Sequence, residues 1–150
     1  MSEVRIQLED FDPGAEIAAL GDANGNTGAI ASFIGLVRGD GGLTAMTLDH
    51  YPGFAEREIA AHVAEAKRRW PLLGVRIVHR VGRLKVGERI VFCAASSSHR
   101  RAAFEAAEFL MDYLKTRAPF WKLEESEGKQ STWVEARGED DEAVKRWQRV

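Results

Sequence analysis

The chain alternates apolar and polar residues at its start, shifts to helical spacing, and returns to alternation several times. Val4, Ile6 and Leu8 alternate with Arg5, Gln7 and Glu9, the two-residue period of a half-buried strand. Asp12 followed by Pro13 is a helix-start signal, and a short helix is expected from Ala15 to Leu20. Gly21 to Gly28 is a turn-rich connector. Ala29 to Val37 follows as a strongly apolar strand that delivers Arg38 directly before Gly39-Asp40-Gly41-Gly42, a glycine-rich tip of the kind that forms binding loops. Leu43 to His50 reads as the returning strand and Tyr51-Pro52-Gly53 as a turn. Phe54 to Trp70 then carries Ile59, Val63 and Ala66 on one side and charged residues on the other, the mark of an amphipathic helix, which Pro71 stops. Val75, Ile77 and His79 predict another strand, and Glu88 to Ala95 the next.

A second long helix is expected within Ser96 to Lys122. Serines suit its N-cap. Pro119 pushes Ala118 out of helical geometry, so the helix should end near Arg117. Beyond it, Phe120 to Glu125 and Thr132 to Ala136 read as two strands. Asp140 to Arg149 reads as a short charged helix anchored by Trp147. There is no repeat, no low-complexity tract and no linker. Strands and helices without regular alternation predict an α+β fold, as one domain over residues 1–150.

Composition narrows the function. A formal net charge of -2 argues against a general nucleic-acid binder, which would be clearly basic. No apolar run approaches membrane-spanning length, and the N-terminus lacks a signal-peptide layout, so a cytoplasmic protein is expected. Cys93 is the only cysteine and lies in an apolar strand, which excludes an internal disulfide and predicts an inert core thiol. His50, His62 and His79 share no ligand spacing with carboxylates or the cysteine, so neither a metal site nor a cofactor is expected.

The candidate chemistry sits at the two ends of the second long helix. His99, Arg100 and Arg101 open it, and cations in a first turn oppose the helix dipole unless an anion offsets them. The same residues also read as a solvated basic turn. Lys115 falls in the last turn, and Lys122 follows Phe120 and Trp121, whose rings would shield its ammonium and favour proton transfer. On spacing alone, Lys115 reads equally as a C-terminal cap and Lys122 as a lysine lying over aromatic surface.

Seven motifs occur in order: Gly35-Leu36-Val37-Arg38, Asp49-His50-Tyr51-Pro52-Gly53, Arg69-Trp70-Pro71, His79-Arg80-Val81-Gly82, Ser98-His99-Arg100, the run from Tyr113 through Lys115 to Lys122, and Trp133-Val134-Glu135-Ala136-Arg137. Together they resemble the large, catalytic subunit of molybdopterin synthase, the MoaE family. The resemblance spans about Gly28 to Arg137, and Lys115-Thr116-Arg117-Ala118-Pro119-Phe120-Trp121-Lys122 is its most specific part.

The resemblance implies an α/β hammerhead core with an additional β-rich subdomain, in a subunit that dimerises. Two small ubiquitin-like sulfur carriers (MoaD-like) would dock at opposite ends of the dimer to form a heterotetramer. Each would insert a Gly-Gly tail ending in a thiocarboxylate. Sulfur would pass from that tail to cyclic pyranopterin monophosphate, and two transfers would build the dithiolene of molybdopterin. By the same resemblance, Lys115 and Lys122 are catalytic. Leu36, Val37, Arg38, His99, Arg100, Leu123 and Glu124 line the substrate site with them, Leu36 and Leu123 through their backbones. The Gly39 to Gly42 loop is shorter and richer in glycine than the family pattern. A second class of function, a non-catalytic module that docks a ubiquitin-like tail or binds a phosphorylated metabolite, would be favoured by loss of the lysines; both are present.

Overall fold

The computed structural model describes residues 3–127, 132–134 and 145–148. In chain order the elements are β1 (Val4–Gln7), α1 (Pro13–Ala18), β2 (Ala29–Leu36), a 3-10 turn (Asp40–Gly42), β3 (Leu43–His50), α2 (Phe54–Arg69), β4 (Leu72–Arg80), β5 (Gly82–Lys85), β6 (Arg89–Ser97), α3 (Arg100–Thr116), β7 (Phe120–Ser126) and β8 (Thr132–Val134). They form two sheets, ordered β1-β4-β6-β2 and β5-β3-β7-β8. Among the described residues, β1 and β4 pair in parallel and the other pairs are antiparallel. The α+β expectation holds.

Alternation explains why the first sheet is covered on both faces. Val75, Ile77, Val91 and Cys93 point to the main core beneath α2 and α3, while Val78, Phe92 and Ala94 point to a smaller cluster with Phe11, Leu20 and the α1 residue Ile17. Arg76 shares this second side. Its guanidinium donates to Glu16 at 2.8 and 3.0 Å, and Arg5 reaches the other Glu16 oxygen at 2.5 Å. These two arginines hold the Glu16 carboxyl below the usual carboxylate range against the opposing effect of burial.

Helix α2 buries Ala55, Ile59, Val63 and Ala66, the stripe its period predicts, and each large apolar side chain so buried contributes roughly 1.5–3 kcal/mol. Its start requires a glycine: Gly53 has φ 84°, and its N–H donates to the Glu56 carboxylate at 3.0 Å.

Three expectations change. Gly82–Lys85 is a strand that pairs with β3, although the segment is too short and too charged to announce itself. The N-cap of α3 is His99, with no side-chain cap, because Ser96 and Ser97 belong to β6 and direct their hydroxyls to the Gly74 and Pro71 carbonyls. At the C-terminus, most of Asp140 to Arg149 and the last two residues of Thr132 to Ala136 lie outside the described residues. The described part, residues 145–148, is a turn, and Trp147 packs against Trp70 and Phe109 as the expected anchor.

Candidate active site

The direction of α3 decides how the cationic residues are distributed. The helix runs antiparallel to β6: its first half packs Ala103 and Ala107 on Ala31, and its second half brings Leu110 and Leu114 into the core with Val91. Arg100 therefore stands at the end of the sheet where β6 finishes and β2 begins. Lys115 stands at the other end, where β6 begins and β2 runs out toward Arg38. At about 1.5 Å per residue, the helix separates Arg100 from Lys115 by about 22 Å. One chain does not bring all the expected residues together.

At the first end, Ser98, His99, Arg100, Arg101, Phe104 and Glu105 line an open cleft of about 630 Å³ with Gly28, and the Glu105 carboxylate lies 3.8 Å from the exposed Arg101 guanidinium. No acidic side chain lies in the first turn of α3 and no side chain caps it, so its first N–H groups are left without a side-chain acceptor. Gly28 makes this geometry possible: its N–H donates to the Ser97 carbonyl at 3.0 Å, and a Cβ there would lie 2.0 Å from the Ser98 carbonyl oxygen. Only backbone could move aside. Gly28→Ala should therefore cost about 1–3 kcal/mol and displace the Ser98–His99 turn. Calorimetric titration with sulfate should show binding to the parent chain weakened at least about tenfold in the variant. Equal affinities would refute this assignment of the cleft.

At the second end, Phe120 is the centre. His79 stacks on it with centroids 4.0 Å apart, and His50 lies 6.1 Å away on its register partner strand. Lys115 is close enough that its charge acts on His79, and Lys122 stands two residues beyond Phe120 on the same face of β7. Glu124 shares that face, and its carboxylate lies 3.7 Å from the Lys122 ammonium. Trp121 and Leu123 project from the opposite face, where Trp121 meets Tyr51 edge to face at 5.1 Å. The expected shielding of Lys122 by both aromatics is thus corrected to one ring and a carboxylate.

Arg38 follows β2 at this same end, exposed and held to Asp40 at 3.0 Å. Val37 is buried, and its backbone is spent on Glu88 and Gly87, so it anchors Arg38 from beneath. Leu36 is 53% exposed. His79 and His50 escaped the residue reading because a histidine in an alternating strand carries no spacing signal; only the stack on Phe120 reveals them.

His79 also sets a pH dependence. Burial, then the charges of Lys115 and His50, lower its pKa to about 4, against the opposing effect of the Arg80 carbonyl. His62, half-buried against Phe109 and Tyr113, is likewise lowered to about 4, by desolvation first and then by Arg69, against the opposing charge of Glu65. Between these values and 6.5 the unfolded chain binds more protons than the folded one, so stability is full above about pH 6.5 and falls as pH drops toward 4. His79 alone should account for on the order of 3 kcal/mol of that loss. Urea titrations at pH 7 and pH 4.5 should show the decline, and His79→Phe should flatten it; an unchanged slope would contradict the assignment.

An α+β fold with a basic helix start at one end of α3, and Lys115 and Lys122 near the partly buried Phe120 strand at the other, sets its cationic residues at two separate ends. The comparisons make the class specific. Residues 6–117 match the family model described as MoaE protein, and the chain belongs to that family. The molybdopterin synthase catalytic subunit of Mesorhizobium japonicum is 56% identical over 146 residues, covering 96% of this chain and 92% of that one. The solved MoaE protein from Burkholderia ambifaria superposes with a TM-score of 0.85 at 51% identity over 99% of both chains. A complex of subunits 1 and 2 of molybdopterin-converting factor from Helicobacter pylori shares the fold, with a TM-score of 0.74 at 21% identity over 91% of this chain and 92% of that one.

Proposed function

We propose that this chain is the catalytic subunit of a molybdopterin synthase, moving sulfur from the C-terminal thiocarboxylate of a small ubiquitin-like carrier to cyclic pyranopterin monophosphate. The observation that carries the reading is membership of the MoaE family, supported by Lys115, whose charge acts on His79, and by Lys122 on the strand that carries the His79-stacked Phe120. Cys93 is fully buried, with its thiol pushed up to about 12, so it is unsuited to carry the sulfur, and a partner that brings the sulfur fits. The carrier leaves as a carboxylate, which requires water to cut its acyl–sulfur bond. Negative charge develops on the acyl oxygen, and in this reading Lys115 stabilises it. Lys122 supports charge and proton movement on the substrate side, with Arg38 orienting the substrate.

The complete site needs a second copy. β2 is an edge strand, with Phe33, Ile34 and Leu36 exposed, and Phe104 on α3 is 63% exposed beside the anion cleft. Such an edge calls for cover. Two β2 strands meeting antiparallel about a two-fold axis would set the Arg38 end of one beside the Ala29 end of the other, where Gly28 abuts Ser98. The partner's His99 and the partner's Arg100 would then face Arg38 and the lysines across the interface, and the substrate phosphate would bridge them.

Incubation with thiocarboxylated carrier and cyclic pyranopterin monophosphate should yield molybdopterin. A carrier lacking its final two glycines should keep most of its affinity by calorimetry and lose turnover, since the tail alone reaches Lys115. If the chain bound no such carrier at about micromolar concentration, the reading would lose its sulfur source, and metabolite binding would take its place.

A further inference from the structure

A second cleft, of about 300 Å³, opens between α2, α3 and the turn at residues 145–148, at the lower end of ligand-pocket volumes. It is separate from the lysine site. Tyr113 and Arg117 line it from the side of α3 turned toward α2, whereas Lys115, at about 100° per residue, projects from the opposite side.

Its walls are rings in fixed positions. His62 stacks on Tyr113 at 3.9 Å and on Phe109 at 4.7 Å, and Trp147 meets Phe109 edge to face at 5.5 Å. The Trp147 wall is clamped to α3. Arg146 reaches Glu108 and Asp112, each at 2.6 Å, and the Trp147 indole N–H donates to Asp112. His62 is neutral at pH 7 because burial lowers its pKa to about 4, so it offers a ring face and no charge.

The two cations of the cleft differ in what they have left to offer. Arg69 is used: it donates to Glu65 at 2.7 Å and to the Trp147 carbonyl at 2.8 Å, and lies over Phe109. Arg117 is exposed at the mouth and has no ion pair or side-chain hydrogen bond among the described residues. A ring-walled cleft with one uncommitted guanidinium at its opening is matched by a flat apolar body ending in a carboxylate.

We propose that this cleft is a binding site for a planar aromatic carboxylate, with the ring held among Tyr113, His62 and Trp147 and the carboxylate on Arg117. The probe is 2-naphthoate, with 2-naphthalenemethanol as its neutral counterpart, titrated into the full chain while tryptophan fluorescence is followed. Saturable quenching is expected, and Trp147→Phe should remove most of it. Arg117→Gln should weaken naphthoate at least about tenfold and leave the alcohol unchanged. No saturation by about 1 mM naphthoate overturns the proposal. So does an affinity indifferent to Arg117→Gln, and loss on Arg100→Gln or Lys115→Ala instead would place the anion in the site already described.

Discussion

Replacing Lys115 with alanine should lower molybdopterin formation by at least about 10²–10³-fold, the loss typical of removing one preorganised charge-stabilising group. The fold should persist. Lys115 is exposed in the last turn of α3, where a cation at a helix C-terminus is favourable by roughly 0.3–1 kcal/mol. Circular dichroism and the thermal midpoint should therefore stay close to the parent while product disappears. Lys115→Arg should not rescue turnover, because a guanidinium keeps its proton and is bulkier. Lys122→Ala should be impaired less severely, since Glu124 shares its surroundings. Near-parental turnover by Lys115→Ala would remove Lys115 from the mechanism.

The second large effect tests whether two copies share a site. Lys115→Ala and Arg100→Ala should each be nearly inactive when prepared alone. Mixed under conditions that exchange subunits, half of the dimers should be hetero-dimers. Each of these would hold one site with both lesions and one site with none. Activity should then recover to about a quarter of the parent value, as expected when a two-fold interface completes each site from both protomers. If the cationic residues of one chain formed separate sites, mixing would restore nothing. The roughly 22 Å of helix between Arg100 and Lys115 is the physical basis of the prediction, since no single small substrate spans it within one chain.

Much of the fold could be read along the chain because its signals are local. The Ile59, Val63 and Ala66 stripe gives α2 through steric period alone, Pro71 and Pro119 end helices by geometry that travels with the residue, and the apolar run around Cys93 gives a buried central strand. The resemblance singled out Lys115 and Lys122 as candidates for the same reason: Lys115 to Lys122 is one continuous stretch. β5 was not readable, because a four-residue charged strand exists only through its pairing with β3. Nor was the cap of α3, since Ser96 and Ser97 could serve the helix or the strand, and the carbonyls of Pro71 and Gly74 decide it.

The sequence, then, determined the elements, their order and the kinds of charge the protein presents, since each follows from neighbours a few residues away. Packing alone decided which charges meet. The antiparallel run of α3 over β6 sends His99 and Arg100 to one end of the sheet and Lys115 to the other, and the stack of His79 on Phe120 joins residues from β4 and β7 that no spacing relates. Such juxtapositions arise from burying apolar faces against one another, a condition on the whole chain that no short stretch of it contains.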